Sequence, residues 1–328
     1  RYQQYIEDAS PALSSDIDGT GLTLMQFLNN TAFPLLKREH DWWMDPVTGH
    51  TVNVNATTTD ASSPAQQQQY TLNRYYSHAA IPRPESYYED VESAQPLEEC
   101  EEGDEIGCQA YFYRAIRAGA ESGWDFSSRW GVQSKNTSQI ATSEVVPVDL
   151  NSIMYKQETI LSSLALYLGN VGDSERYSRL ARNRKDAMYS ILYVPDEHKW
   201  QDYNSSSSSS ALSVGITSIS SWFPLWAGLV SNDSLHTLYN CTTTDFVDAL
   251  LSSSLVQVGG VATTLQNTGQ QWDYPNAWPP LVYFTIEGLR NVAKLDVDSS
   301  DSDFARTSLA QEVADNITSA CLLYICPC

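Results

Sequence analysis

Apolar residues follow a helical spacing along most of the chain, and residues 149–169 show it most clearly. Six apolar side chains of this segment fall on one helical stripe: Ile153, Met154, Ile160, Leu161, Leu164 and Leu168. Asp149 is a suitable capping residue at the start, and Gly169 with Asn170 supplies a left-handed stop. A second helix, predicted over residues 173–192, follows at once, so the two segments form a helical hairpin.

The same spacing predicts further helices elsewhere in the chain. They cover residues 21–44, 84–95, 107–121, 216–229, 243–254, 279–295 and 302–320. Strand signals are few and short, and no alternation of strands and helices appears. These patterns predict an all-α fold built from helical hairpins.

Two stretches between the predicted helices lack this spacing. Residues 46–70 are polar and rich in Thr and Gln, which indicates a solvated excursion. Residues 204–210 form a serine tract, which is typical of a flexible loop without chemistry of its own.

Composition narrows the class of protein. The 328 residues are enough for a large core, and 42% hydrophobic with 18% charged residues is a globular composition. A net charge of −21 repels nucleic acid and anionic lipid but leaves a neutral ligand unaffected, and no run of about 18 apolar residues predicts a membrane span. The 19 Tyr and 9 Trp suit stacking on sugar rings, although ordinary packing explains them equally well.

The cellular compartment is indicated by potential glycosylation sites. Seven Asn-x-Ser/Thr sequons favour the secretory route and a glycoprotein. Their asparagines are Asn29, Asn55, Asn136, Asn204, Asn232, Asn240 and Asn316.

The six cysteines agree only in part with that compartment. Cys100 and Cys108 bracket an acidic loop and are spaced to form a small disulfide, whereas Cys241 stands alone. The last eight residues hold Cys321, Cys326 and Cys328. With no histidine nearby they make a poor zinc site, so we interpret all six cysteines as non-catalytic.

The first segment with candidate chemistry is residues 81–86. Pro82 and Pro84 stiffen the backbone on both sides of Arg83. A rigid arginine beside Glu85 offers forked donors and an acceptor to sugar hydroxyls. The structural alternative is a helix start, with Glu85 in a favourable first-turn position.

The second segment is residues 121–130. Gly123 allows close backbone approach to a ligand, and Asp125 lies between Trp124 and Phe126. Apolar neighbours disfavour a charged carboxylate, which would raise the pKa of Asp125 and suit it to act as a general acid. The alternative is an ion pair of Asp125 with Arg129, four residues on.

The third segment is residues 269–280, a proline-stiffened loop. Its aromatic and polar side chains resemble a sugar platform, meaning stacking faces with hydroxyl partners, to which Trp124 also belongs. The candidate platform residues in this loop are Gln271, Trp272, Asp273 and Asn276. The alternative is a buried turn whose polar groups bond the backbone.

Together these segments resemble the trehalases of glycoside hydrolase family 37, in particular the invertebrate ones, over residues 20–315. The family signature Gln-Trp-Asp-x-Pro-Asn-x-Trp-x-Pro occurs at Gln271–Pro280. Further matching stretches are Leu72–Tyr76, Pro82–Ser86, Glu121–Trp130, Val146–Asn151 and Trp222–Leu225.

The resemblance implies a fold and a reaction. The fold is an (α/α)6 barrel, present here as one partial catalytic domain over residues 1–328. The reaction is inverting hydrolysis of the disaccharide α,α-trehalose to two glucoses, without a metal or other cofactor. The family's acid corresponds to Asp125, its sugar-binding Arg-Pro-Glu to Arg83, Pro84 and Glu85, and its backbone contact to Gly123.

Inversion also requires a second carboxylate that activates water on the opposite face of the sugar. The family supplies it from a Glu-Lys-Tyr-Asp motif that this sequence lacks, and the family's N-terminal motifs are absent too. Asp273 and Glu287 are carboxylates in matching segments, but the sequence alone does not assign either as base. Residues 321–328 do not resemble the family, so we expect a chain truncated at both ends, with any membrane tether lost.

The sequence is compatible with three interpretations. The first is a trehalase whose base lies outside this chain. The second is a catalytically inactive trehalase-like protein that binds carbohydrate. The third is another (α/α)6 glycosidase or a helical carbohydrate-binding scaffold.

Overall fold

Helices dominate the structure, a computed structural model that describes residues 23–58, 66–94, 104–205, 215–231, 241–299 and 309–325. The helices are α1 (Leu24–Phe27), α2 (Phe33–Met44), α3 (Tyr87–Ser93), α4 (Glu105–Glu121), α5 (Val148–Tyr167), α6 (Val171–Ala187), α7 (Phe223–Ala227), α8 (Thr243–Ser252), α9 (Pro279–Ser299) and α10 (Leu309–Ile325). One π-helical turn (Leu28–Ala32) joins α1 to α2, and another (Met188–Leu192) extends α6. Within the described residues, the predicted helices are confirmed in position, except for the one over residues 216–229.

The helix predicted over residues 216–229 is much shorter than expected. A 3-10 turn at Ile219–Trp222 leads into α7, which has only five residues. Gly228 ends α7 in the left-handed region, with φ of 81°. Part of the helix predicted over residues 302–320 lies outside the described residues, and so does most of the serine tract.

The strands are short except for one hairpin. They are β1 (Thr51–Thr58), β2 (Gln66–Asn73), β3 (Val145–Val146), β4 (Tyr193–Val194), β5 (Lys199–Trp200), β6 (Tyr203–Asn204), β7 (Val256–Gln257) and β8 (Gly260–Val261). All described pairings are antiparallel and two-stranded: β1 with β2, β3 with β6, β4 with β5 and β7 with β8.

The prediction of a solvated excursion over residues 46–70 is wrong, because β1 and β2 form a regular hairpin there. In its register Val52 lies opposite Leu72, and Val54 lies opposite Tyr70. Val54, Tyr70 and Leu72 are buried in the main core. The alternation of apolar and polar residues from Val52 onward is a strand signal, which the high content of Thr and Gln concealed.

The predicted hairpin of α5 and α6 is confirmed, including its turn. Gly169 adopts φ of 77°, and the Asn170 N–H donates to the Ala165 carbonyl at 2.8 Å, as in a Schellman ending. The predicted cap at Asp149 is wrong: Pro147 occupies the N-cap position, and no side chain caps the helix. The predicted stripe is only partly buried, because Ile153 and Ile160 are exposed.

A buried arginine ties these elements together. Arg184 of α6 donates to Glu158 at 2.8 Å and 3.0 Å, to Asn73 at 2.9 Å and to Asn151 at 3.0 Å. His40 of α2 contacts the same Glu158 oxygen at 3.3 Å. Because these partners come from α2, β2, α5 and α6, the network holds the hairpin β1–β2 against three helices.

The cysteines and sequons can be located where the structure describes them. Cys108 is disulfide-bonded, and its predicted partner Cys100 lies outside the described residues. Cys241 is buried and free, as predicted. Of the sequon asparagines that the structure describes, Asn204 is half-buried. The other four are exposed: Asn29, Asn55, Asn136 and Asn316. Asn232 and Asn240, like Cys326 and Cys328, lie outside the described residues.

No helix in the part of the chain that the structure describes is long and apolar enough to cross a membrane.

Candidate active site

The loop at residues 122–131, here called the Asp125 loop, follows the end of α4. Gly123 is exposed, adopts φ of 73° and has open space where a Cβ would stand. Asp125 is also exposed, and no hydrogen bond or ion pair joins its carboxylate to a described residue. The apolar enclosure expected from the sequence is absent, because Trp124 is buried while Asp125 faces solvent. The carboxylate is therefore open to a ligand.

The alternative of an ion pair with Arg129 is excluded. Arg129 is fully buried and binds Asp149 at 2.7 Å and 2.8 Å and Asp202 at 2.5 Å and 2.9 Å. Burial alone lowers the pKa of the Arg129 guanidinium, but the two carboxylates outweigh it, so the net pKa lies above its ordinary value. Arg129 thus anchors one end of the Asp125 loop and leaves Asp125 without a cation from its own loop.

Asp273 anchors the same loop from the other side. Its fully buried carboxylate accepts hydrogen bonds from the Ser127 hydroxyl at 2.9 Å and from the Ser128 hydroxyl and backbone N–H, both at 2.8 Å. The hydroxyls of Thr264, at 2.8 Å, and Thr268 complete the set. The predicted platform role of Asp273 is wrong, because every contact of this carboxylate is internal.

The tryptophans of the third segment form a stack within the protein. Trp272 stacks on Trp124 with ring centroids 5.5 Å apart, and on Trp278 at 4.3 Å. Trp124 is buried, and the Arg129 guanidinium lies 4.5 Å from its ring. Trp124 therefore has no open face, and its predicted platform role is wrong, whereas Trp272 and Trp278 remain partly exposed.

The polar residues of the third segment mostly support the loop itself. The Asn276 amide and the Trp278 indole N–H both donate to the Gln271 carbonyl, at 3.0 Å and 3.1 Å. This is the predicted alternative, a turn whose polar groups bond the backbone. The Gln271 and Asn276 side chains are nevertheless exposed, so both remain candidate contacts for a ligand.

Arg83 is held by a single carboxylate. Asp90, fully buried, accepts from the Arg83 backbone N–H at 2.8 Å, from Nε at 3.0 Å and from Nη2 at 2.8 Å. Arg117 supports the preceding turn by donating to the carbonyls of Ile81 and Pro82, at 2.8 Å and 2.7 Å. Pro84 and Glu85 are exposed and begin the 3-10 turn before α3, which confirms the helix-start interpretation of this segment.

Phe126 brings the three segments together. Its ring lies 5.1 Å from the Arg83 guanidinium, and its carbonyl accepts from the Trp272 N–H at 3.0 Å. The structure thus places Arg83 and Trp272 in contact with the residue that follows Asp125. Sequence reasoning missed Asp90, Ser127, Ser128 and Thr264, although the paired serines directly after Asp125 and Phe126 are a visible signal.

A cavity of about 550 Å³ opens elsewhere, between the β4–β5 turn and α8. None of its lining residues belongs to the three segments, so it has no part in this site.

Comparison with known proteins decides the family. The model of the Trehalase family matches residues 14–320. The chain belongs to the trehalase family. It is 36% identical to a trehalase of Dictyostelium discoideum over 299 residues, which cover 87% of this chain and 46% of that protein. It is 32% identical to a periplasmic trehalase of Shigella flexneri over 266 residues, covering 80% and 43% respectively.

The fold agrees with this family. The neutral trehalase of Saccharomyces cerevisiae superposes with a TM-score of 0.50 at 20% identity, covering 69% of this chain and 43% of that structure. The all-α class and the (α/α)6 barrel, incomplete in this chain, are thereby confirmed. This trehalase-family chain spans less than half the length of the curated relatives it matches.

Proposed function

We propose that the protein to which this chain belongs hydrolyses α,α-trehalose to two glucoses with inversion, and that Asp125 is its general acid. The proposal extends the family membership to a reaction and a residue. The observation that supports it best is the unpaired, exposed Asp125 carboxylate on a loop that is anchored at both ends. An acid that must reach a glycosidic oxygen needs both an open carboxyl group and a fixed position.

In this mechanism Asp125 protonates the leaving oxygen of the glycosidic bond. Arg83 donates to sugar hydroxyls beside it, with Glu85 as acceptor and the exposed backbone at Gly123 as a further contact. Further candidate contacts for the sugar are the side chains of Trp272, Gln271 and Asn276, on the loop whose Trp272 N–H bonds to Phe126.

The general base must be a second carboxylate, distinct from Asp125. An inverting enzyme needs a carboxylate about 6.5–9.5 Å from the acid to activate water on the opposite face. Asp273 is saturated by internal donors, and Glu287 pairs with Arg290 at 2.8 Å. Neither carboxylate is suited to activate water, so we propose that the general base is a glutamate outside this chain.

The experiment that tests the acid uses the longest natural form of the protein that contains this chain. Asp125→Asn should abolish glucose release from trehalose while leaving the melting temperature within about 2 °C, since an exposed carboxylate contributes little to stability. Asp41→Asn, which breaks an exposed ion pair with Arg176, is the matched control and should retain full activity. Near-normal hydrolysis by Asp125→Asn would reject Asp125 as the acid.

Two further measurements test the stereochemistry and the base. Early in the reaction, proton NMR should detect equal amounts of α- and β-glucose, whereas a retaining enzyme yields only the α anomer first. The 328-residue chain alone should release no glucose above background. Clear turnover by this chain would show that one of its own carboxylates is the base.

We also propose that this protein is glycosylated and passes through the secretory pathway. Its support is the seven sequons, four of which carry exposed asparagines. Glycopeptide mass spectrometry of the natural protein should find glycans on exposed sequons such as Asn136, and unmodified asparagine at every site would contradict it.

A further inference from the structure

We propose that Asp90 is the positioning residue that presents Arg83 to the sugar next to Asp125. This inference rests on the proposed function, in which Arg83 binds trehalose. Asp90 itself touches neither substrate nor reacting atoms; it acts through the guanidinium that it holds.

The contacts of Asp90 are exclusive to one partner. Each hydrogen bond of its carboxylate goes to Arg83: to the backbone N–H, to Nε and to Nη2. The carboxylate is fully buried, whereas 10% of the Arg83 side chain is exposed. Asp90 therefore has no second hydrogen-bond partner for its carboxylate among the described residues, and its position determines that of Arg83.

The open part of the guanidinium supports a binding role. Asp90 occupies the edge formed by Nε and Nη2, and Nη1 makes no hydrogen bond to a described residue. Nη1 is not a buried unsatisfied atom either, so it lies at the accessible end of the side chain. Its two N–H groups are thus free to donate outward, with the Phe126 ring 5.1 Å from the guanidinium.

The other buried arginines have no such opening. Arg129 and Arg184 each engage Nε, Nη1 and Nη2 with protein acceptors. An arginine that only stabilises the fold is expected to satisfy all its nitrogens, because unpaired buried donors are costly. Arg83 is the exception among the buried arginines that the structure describes, and it is the one beside the Asp125 loop.

The charge of the pair also fits a neutral ligand. Asp90 neutralises Arg83, so the pair presents directed N–H donors without a net charge of its own. A second acceptor from a sugar hydroxyl can then bind Nη1 without breaking the existing pair, because a guanidinium has five donors in a fixed plane.

The main test measures trehalose binding by the longest natural form of the protein that contains this chain, using isothermal titration calorimetry in an Asp125→Asn background that does not hydrolyse the ligand. Asp90→Asn should weaken binding about tenfold, because the amide repels the guanidinium N–H groups and frees Arg83 to move. Asp90→Glu keeps the charge but displaces the carboxylate, and it should weaken binding as well; full recovery by Glu would show that charge alone matters and would overturn the proposal. Asp41→Asn is the control and should bind like the wild type.

A double-mutant cycle separates positioning from a general structural role. Arg83→Met alone and Asp90→Asn with Arg83→Met together should weaken binding equally, since Asp90 acts only through Arg83. Independent effects that multiply in the double variant would overturn the proposal.

A ligand-independent measurement separates this inference from the proposed function. Failure of the Asp125→Asn protein with native Asp90 and Arg83 to bind trehalose would count against the proposed function, and NMR of arginine side chains then decides the role of Asp90. The Arg83 Nε–H should exchange slowly in the wild type and at least tenfold faster in Asp90→Asn or Asp90→Glu. Exchange in the wild type as fast as that of the exposed Arg176 would overturn the proposal.

Discussion

Replacing Asp273 by asparagine tests whether the Asp125 loop depends on one buried carboxylate. The native group receives hydrogen bonds from the side chains of Ser127, Ser128, Thr264 and Thr268 and from the Ser128 backbone. Asparagine keeps one carbonyl oxygen, removes the charge and turns an N–H toward the Ser128 N–H.

The expected loss follows from these contacts. A hydrogen bond to a charged group contributes about 1.5–3 kcal/mol, against about 0.5–1.5 kcal/mol for a neutral one, so each of the five donors loses roughly 1 kcal/mol. Because hydroxyls can reorient toward other acceptors, we expect a loss of about 3–5 kcal/mol in the free energy of unfolding. Only the backbone N–H of Ser128 has no freedom to reorient.

Urea unfolding followed by tryptophan fluorescence measures this loss, and hydrogen exchange locates it. The Ser128 amide should exchange at least about 100-fold faster in Asp273→Asn, since each 1.4 kcal/mol is about tenfold. The near-ultraviolet circular dichroism of the Trp124–Trp272–Trp278 stack should change as well. A loss below about 1 kcal/mol, within the range of the exposed Asp41→Asn control, would refute the assignment of Asp273 as the anchor of this loop.

Three further predictions concern other parts of the site and its scaffold. Burial alone would raise the pKa of Glu158, but Arg184 and His40 lower it below the ordinary 4.5. The ionised Glu158 carboxylate therefore stabilises the fold above pH 4.5, and this contribution is lost as the pH falls through the folded-state pKa. The melting temperature of Glu158→Gln should accordingly depend less on pH below 4.5 than that of the wild type. An equal dependence of melting temperature on pH in both proteins would contradict this. Arg129→Met leaves two buried carboxylates unpaired and should cost about 3–5 kcal/mol or prevent folding; a variant as stable as wild type in urea unfolding would be inconsistent with the ion-pair network. Gly123→Ala places a Cβ at a positive φ, so it should cost about 1–2 kcal/mol of strain despite the open space, whereas an unchanged midpoint would show that the turn relaxes.

The helical part of the fold was predictable because helix formation is governed by short-range patterns. The spacing of apolar residues located each described helix, and Gly169 marked the turn between α5 and α6. The hairpin of β1 and β2 was missed because its strands pair across a polar stretch and depend on burial against the core. The amino-acid composition of a polar segment does not show that some of its side chains are buried in the folded protein.

The sequence by itself determined the family resemblance, the position of Asp125 and the helices that flank it, since these depend on residue identity and local spacing. Only the tertiary structure decided which carboxylates are free. Asp125 and Asp273 look alike in the sequence, yet one is open to solvent and the other is saturated by donors that include Ser127, 146 residues away. Likewise Arg129 binds Asp202, 73 residues distant, rather than its near neighbour Asp125. Burial and hydrogen-bond partners are set by which segments meet in the folded core, and sequence separation carries almost no information about that.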